Sequence, residues 1–173
     1  MFRAMVSPDR AAALFTTYHE PLVRFLARQT GDRDQAEEIA QEVFVRVMRQ
    51  EELTSERSWL FAVAMNLMRD EARRTARQQK RLELLKNEAE QDSVVEADAG
   101  GVEREEERAL ARRALETLAE RDRDALLMRE EGLGYDEIAS ALDLSVGSVG
   151  TTLSRARRRL MEAYEALRAP ERA

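Results

Sequence analysis

The sequence predicts an all-α protein in which two small helical domains are joined by an acidic linker. The first observation is compositional: only 7 glycines and 3 prolines occur among 173 residues, and long stretches rich in Ala, Leu, Glu and Arg favour helix. The second is that apolar residues recur at helical spacing in both halves. The third is charge: residues 82–107 carry ten acidic residues against Lys86 and Arg104, a net of −8, which leaves +2 for the rest of a chain whose total is −6.

The composition excludes several kinds of chemistry. The chain contains no cysteine, which rules out disulfides, thiolate metal sites and a cysteine nucleophile. Its single histidine, His19, cannot form a metal cluster, and a surface or helix-end position is favoured over a catalytic one. No cofactor is therefore expected. The N-terminus lacks a signal pattern, and the uncharged run at residues 59–68 is far shorter than the roughly 20 residues of a membrane span, so a cytoplasmic protein without membrane insertion is expected.

The first domain, residues 1–81, is predicted to begin with two amphipathic segments. Residues 11–28 show apolar residues at helical spacing, which indicates one or two helices with a kink or a new start at Pro21. The next helix is predicted to start at a cap on Asp34. Its apolar residues would face the core: Ile39, Ala40, Val43, Phe44, Val47 and Met48.

A third helix of the first domain follows a short polar loop at residues 50–56. Trp59 stands at core spacing with Val63 and Leu67, so packing is favoured over stacking on a nucleic-acid base. The helix then runs into a basic cluster formed by Arg69, Arg73, Arg74, Arg77, Lys80 and Arg81. Because the apolar pattern ends there, this cluster is predicted to lie on the exposed end of a packed helix.

The segment at residues 82–105 is predicted to be an acidic, flexible linker. It lacks aromatic residues and accumulates acids, so no periodic apolar face can support a fixed fold. The second domain, residues 106–173, is predicted to begin with leucines at helical spacing. A helix capped by Asp122 and ended by Gly132 would follow.

A helix-turn-helix is predicted in the second domain. Tyr135–Leu142 would form a short helix, residues 143–145 a turn, and residues 146–164 a longer helix capped by Ser145. Side chains on the early turns of the longer helix suit base edges in a major groove: Ser148, Thr151, Thr152, Ser154 and Arg155. Phosphate contacts would follow from Arg157, Arg158 and Arg159. The alternative is a helical hairpin with a solvated charged face, but the turn, the cap and the basic helix together favour DNA binding.

Two stretches resemble extracytoplasmic-function sigma factors of the sigma-70 family. In the second domain the resemblance is carried by Val146-Gly147-Ser148-Val149, Leu153, Arg155-Ala156-Arg157 and Leu160. In the first domain it is carried by residues 34–44, which are similar to that family's polymerase-binding helix, and by Trp59-Leu60, Ala64, Asn66, Asp70, Arg73 and Arg74. The two motifs in this order indicate a protein that recruits RNA polymerase core enzyme to specific promoters.

The resemblance implies three binding surfaces and no catalysis. The polymerase β′ clamp would meet Asp34, Glu37, Glu38, Gln41 and Glu42. The loop at residues 50–57 and the third helix would meet the −10 element of promoter DNA. There Asn66 would hold a base flipped from the non-template strand, an interaction that suits an amide. Phosphates would be contacted by Arg69, Arg73, Arg74 and Arg77. The helix-turn-helix would read the −35 element beside the polymerase β flap, and an anti-sigma factor is a further implied partner.

Three other functions are weighed against this interpretation. A stand-alone helix-turn-helix regulator would bind DNA tightly without polymerase. A nucleic-acid enzyme would need a metal cluster, a phosphate loop or a nucleophile–base pair, and the sequence pattern offers none. A helical adaptor would bind acidic proteins through the basic patches, and the salt dependence of DNA binding would distinguish it.

Overall fold

The computed structural model describes residues 5–51, 53–83 and 102–169 of the chain. Within these ranges the chain forms α-helices joined by short turns, without a strand. The helices are α1 Pro8–Thr30, α2 Arg33–Val47, α3 Glu56–Glu83, α4 Val102–Glu116, α5 Glu120–Glu130, α6 Tyr135–Leu142 and α7 Val146–Arg168. The predicted all-α fold class is confirmed.

Helices α1 and α2 are separated by a tight turn at Gly31, whose φ of 73° lies in the left-handed region that favours glycine. Pro21 lies inside α1, which continues through it as one helix instead of starting a second. The N-cap of α2 is Asp32, whose carboxylate accepts a hydrogen bond from Gln35 N at 3.0 Å. The predicted cap on Asp34 was therefore wrong, because Asp34 already lies in the first turn.

Helix α3 is a packed helix at its start and an exposed one at its end. Its early turns bury Leu60, Phe61, Ala64 and Met65, and Trp59 packs against the same core. The turns beyond Glu71 are exposed to their end. Most of the predicted flexible linker lies outside the described residues, at positions 84–101; its two ends, residues 82–83 and 102–105, are helical.

The second half contains the predicted helix-turn-helix, with α6 at its predicted bounds and α7 running four residues further than expected. The N-cap of α5 is Ala119, so Asp122 does not cap that helix as predicted; it lies buried within it. Ser145 occupies the N-cap of α7 without a side-chain cap. Instead its carbonyl accepts a hydrogen bond from Ser148 Oγ at 2.8 Å.

The two halves of the described chain pack against each other through α3 and α6. Ser58 Oγ donates to the Glu137 carbonyl at 3.1 Å, and Arg57 Nη2 donates to the Glu131 carbonyl at 2.7 Å. Buried apolar side chains of both halves form one continuous cluster. None of the helices in the described ranges is long and apolar enough to cross a membrane.

Candidate nucleic-acid and partner interfaces

The outer face of α2 carries the acidic residues predicted to meet the polymerase. The opposite face is buried in the core, and this burial fixes the rotation of the helix about its axis. The buried residues are Ala36, Ile39, Ala40, Val43, Phe44 and Val47. Asp34, Glu38 and Gln41 are exposed at the spacing of one helical face. Glu37 and Glu42 are partly exposed and pair with Arg33 and Arg46, each at 3.1 Å. Such pairs contribute little to stability and leave the carboxylates accessible to a basic partner.

The C-terminal half of α3 presents an exposed polar and basic surface. Asn66 is exposed. Arg73 and Arg74 are largely exposed, and each is near a carboxylate of its own helix at 3.6 and 3.2 Å. Arg77 is exposed and donates from Nε to the Arg73 carbonyl at 3.2 Å. Four of the five residues predicted for the −10 element thus share an accessible surface.

Arg69 is the exception, because its guanidinium is held by the other half of the chain. Nη2 lies 2.5 Å from Asp124 Oδ2, and Nε pairs with Glu120. The Asp124 side chain is fully buried. Burial raises the pKa of Asp124 to about 6, outweighing the attraction of Arg69 and Arg123. In this structure, ion pairs with Glu120 and Asp124 therefore engage the guanidinium that was predicted to contact the −10 element.

The first turns of α7 divide the predicted −35 residues between a buried and an exposed face. The buried face holds Val149, Thr152, Leu153 and Ala156. Thr152 is 5% exposed, so its placement does not support the predicted base contact. Thr151, Ser154, Arg157 and Arg158 are exposed, and Ser148 is partly so.

Arg155 is anchored by an acid that the sequence did not identify as functional. Its Nε and Nη2 donate to the two carboxylate oxygens of Asp122 at 2.9 and 2.5 Å. Arg159 approaches the same carboxylate at 3.5 Å. The hydrogen bonds from Arg155 lower the pKa of Asp122 despite its burial. Arg155 keeps 39% of its side chain exposed, so one side of it stays accessible to solvent.

The loop predicted for the −10 element is braced by the N-terminal segment. Val6 N donates to the Gln50 carbonyl at 2.9 Å, and Arg10 makes two hydrogen bonds to Glu56 at 2.7 and 2.5 Å. A cavity of about 570 Å³ lies between the segment and the loop, and Thr54 is among its lining residues.

His19 is a partly exposed side chain of α1, and its ring stacks on that of Phe15 with 4.5 Å between the ring centroids. No cluster of three metal-ligating side chains occurs within the described ranges.

These features define a class of protein: a helical DNA-binding protein whose helix-turn-helix is docked on a bundle with separate acidic and basic faces. Comparison with known families is more specific. Residues 14–78 match Sigma-70 region 2, and residues 108–160 match Sigma-70, region 4. The chain belongs to the sigma-70 family, among the extracytoplasmic-function sigma factors.

Several curated relatives support this assignment along most of the chain. The ferric citrate uptake sigma factor FecI of Escherichia coli is 33% identical, over 83% of this chain and 84% of its own. The ECF RNA polymerase sigma factor SigX of Bacillus subtilis is 30% identical, over 90% and 84%. The sigma factor YlaC of the same species is 28% identical, over 95% and 97%. The predicted family is confirmed, and the chain is an RNA polymerase sigma factor that directs transcription initiation.

Two solved structures share the fold. The sigma factor RpoE of Bartonella quintana, solved in complex with the anti-sigma factor NepR, matches with a TM-score of 0.65 at 20% identity, over 89% of this chain and 96% of its own. CnrH, solved with the cytosolic domain of CnrY, matches with a TM-score of 0.63 at 20% identity, over 92% and 90%. Both likenesses extend across the two halves of the chain.

Proposed function

We propose that the chain divides promoter recognition and polymerase binding among three surfaces, on α2, α3 and α7. The observation that carries this proposal is that α2, α3 and α7 each bury an apolar face in the core and expose a polar face to solvent. The buried faces fix the orientation of the exposed ones. The N-terminal half binds polymerase and the −10 element, and the C-terminal half binds the −35 element. The polymerase supplies the covalent chemistry, and this chain contributes binding alone, in the cytoplasm.

The outer face of α2 binds the β′ clamp coiled coil. Its exposed Asp34, Glu38 and Gln41 offer acceptors along one helical face, and Glu37 and Glu42 flank them. A row of acidic and amide groups suits a basic helical partner, because complementary charge guides the encounter and fixes the register.

The surface of α3 binds the −10 element after the strands separate. Asn66 receives an unpaired base, since an amide can donate to and accept from a base edge. Arg73, Arg74 and Arg77 lie on the following turns and bind phosphates of the same strand. Arg69 joins them when it is released from α5.

The exposed face of α7 reads the −35 duplex. Ser148, Thr151 and Ser154 bring short polar groups to the major groove, and Arg155 offers its exposed side to a base edge. Arg157 and Arg158 bind the flanking phosphates. The polymerase β flap holds this half in place. An anti-sigma factor regulates the chain by covering these surfaces, as the anti-sigma factor NepR bound to the Bartonella quintana sigma factor suggests.

The test is whether the purified chain co-elutes with bacterial core RNA polymerase and directs initiation on genomic fragments. We expect both, with weak binding of duplex DNA by the chain alone. Replacing exposed α2 residues, as in Glu38→Lys with Gln41→Lys, should abolish co-elution; Glu116→Lys with Glu130→Lys, on α4 and α5, is the control. Tight binding of DNA without polymerase, and without initiation, would make a stand-alone regulator the better description.

A further inference from the structure

The loop at residues 50–56, which is proposed to meet the −10 element, is held at each end by the helix that it adjoins. Gln50 N donates to the Val47 carbonyl at 3.0 Å, and Trp59 N donates to the Ser55 carbonyl at 2.9 Å. The loop contains no proline, so its own sequence restricts the backbone little, and ordering it costs conformational entropy. Contacts from elsewhere in the chain therefore decide how well the loop is ordered.

One such contact is a backbone pairing with the N-terminal segment, residues 5–7. Met5 and Glu51 form an antiparallel bridge, and Val6 N donates to the Gln50 carbonyl at 2.9 Å. Hydrogen bonds between main chains fix the path of a loop whatever its side chains are. The segment therefore restrains the first part of the loop directly.

The second contact is an ion pair between the first turns of α1 and α3. Arg10 Nε and Nη2 donate to the two carboxylate oxygens of Glu56 at 2.7 and 2.5 Å, and a bidentate pair fixes the direction of both side chains. The backbone of Arg10 is itself fixed, because its N–H donates to Oγ of Ser7, the N-cap of α1, at 3.2 Å. Glu56 is the first residue of α3, so the pair holds the last part of the loop against the start of α1.

The cavity of about 570 Å³ has one wall from the segment and one from the loop. Its lining residues are Met5, Val6 and Ser7 of the segment, Leu53 and Thr54 of the loop, and the pair Arg10 and Glu56. Thr54 is exposed, and Leu53 is only partly so. Because both walls shape this surface, a shift of the segment changes the surface that the loop presents.

We propose that the N-terminal segment is a brace that holds the loop in the form that recognises the −10 element, with Arg10 as a positioning residue that acts through Glu56. This rests on the proposed role of the loop at the −10 element. Both carboxylate oxygens of Glu56 are engaged by Arg10, so the pair sets the position of the loop and does not read a base. A loop that is ordered in the free chain loses less entropy when the unpaired strand binds. It also discriminates better, because a loosely held loop can repack around a wrong base.

Three substitutions loosen the brace at different points. Arg10→Ala and Glu56→Gln each break the ion pair, and Val6→Pro removes the N–H that pairs with Gln50. Arg108→Ala, at an exposed position of α4, removes the same charge as Arg10→Ala. Val6→Ala keeps the N–H that Val6→Pro removes. These two controls separate loss of the brace from loss of charge or of side-chain volume.

The first readout is the motion of the loop in the free chain. The chain has no cysteine, so Thr54→Cys gives a single, exposed site for a nitroxide label. We expect the electron paramagnetic resonance spectrum to report faster motion when Arg10→Ala or Val6→Pro is added, and no change with Arg108→Ala or Val6→Ala. Arg10→Ala combined with Glu56→Gln should loosen the loop no more than Arg10→Ala alone, because both act on one contact.

The second readout is transcription by the holoenzyme, with unlabelled chains that keep Thr54. The templates are the promoter recovered from genomic fragments and copies with single base changes in its −10 or −35 element. At saturating chain, we expect Arg10→Ala and Glu56→Gln to reduce promoter opening roughly 3–10-fold, the effect of ordering loop side chains on binding. Both should also narrow the difference between right and wrong −10 bases. Discrimination at the −35 element and co-elution with core polymerase should equal those of Arg108→Ala.

The outcomes separate the brace from the sigma-factor mechanism. Nitroxide motion that Arg10→Ala leaves unchanged would overturn the brace while polymerase-dependent initiation stands. A looser loop with unchanged −10 discrimination would overturn it as well, because the position of the loop would then not affect recognition. Promoter opening that rises with Glu56→Gln would show that Arg10 only neutralises a carboxylate near DNA, which also overturns it. Should Val6→Pro fail to fold, the two side-chain variants decide the question. Absence of initiation by the parent would instead refute the proposed function.

Discussion

Asp122 and Arg155 are joined by two hydrogen bonds, of 2.9 and 2.5 Å, that link α5 to α7. The carboxylate is almost fully buried, whereas the guanidinium keeps one side in solvent. The pair therefore fixes the direction of Arg155 in the free chain, so that less side-chain entropy would be lost in the proposed contact with DNA. An acid of α5 thus positions the arginine that is proposed to read a base.

Replacement of Asp122 tests this positioning role. We expect Asp122→Asn to lower the free energy of unfolding at neutral pH by about 1–3 kcal/mol, because hydrogen bonds to charged groups are lost. It should also weaken binding of the −35 duplex by the holoenzyme. The lowered pKa of Asp122 means that its stabilisation is present above the ordinary aspartate pKa and is lost as pH falls through the folded-state value. Urea unfolding compared with Asp136→Asn, an exposed acid of α6, checks the first effect; equal midpoints would contradict it.

Asp124 should show the opposite dependence on pH. Its folded-state pKa of about 6 lies above the ordinary value of 3.8, so the folded chain binds a proton more tightly than the unfolded chain. Protonation then favours folding as pH falls from above 6 toward 3.8, by up to about 3 kcal/mol. The groups facing it are Arg69 of α3 and Glu120 and Arg123 of α5.

The prediction is that Asp124→Asn raises the free energy of unfolding at pH 7 and that this gain shrinks as pH falls to 5 and below. The measurement is the difference between variant and parent in urea unfolding across that range, which cancels the titration of other carboxylates. A difference that is constant with pH, or that grows toward acid, would show that Asp124 is not proton-linked in this way.

Local signals made the helices predictable, whereas the contacts between them were not. The bounds of α6 follow from the glycine before it and the turn after it, and the core face of α2 follows from its apolar spacing. Aspartate favours helix N-caps, which is why the sequence predicts a cap at Asp122. Its actual partner, Arg155, lies 33 residues further along the chain, where no local pattern reveals it. Arg69 and Asp124 are 55 residues apart, and no periodic pattern relates them. Pairing of the halves depends on three-dimensional packing that a single sequence does not encode locally.

Two glycines should respond in opposite directions to the same substitution. A Cβ at Gly150 of α7 would lie 3.6 Å from Tyr135 Cε2, an ordinary contact, so Gly150→Ala should stabilise the chain by about 0.5–1 kcal/mol. Gly132 has a φ of 84°, and its Cβ would lie 3.0 Å from Arg57 Nη2. Gly132→Ala should therefore destabilise the chain by about 1 kcal/mol or more. Thermal unfolding of both variants tests the pair, and a change of the same sign in both would refute the local geometry.

Asn66 and Gln41 should separate strand capture from polymerase binding. Both side chains are exposed, Asn66 on α3 and Gln41 on α2, so neither substitution should alter the fold. Asn66→Ala should reduce promoter opening by the holoenzyme roughly fivefold, the loss of about 1 kcal/mol of hydrogen bonding, while co-elution with core polymerase is unchanged. Gln41→Ala should weaken association with the polymerase and leave promoter opening unchanged once the chain is saturating.

Fluorescent-probe assays of strand opening, run over a titration of the chain, measure both quantities. Gln78→Ala, on the exposed end of α3, is the control. Because saturation rescues a binding defect but not a capture defect, an Asn66→Ala loss that disappears at high concentration would move Asn66 from the −10 surface to the polymerase contact.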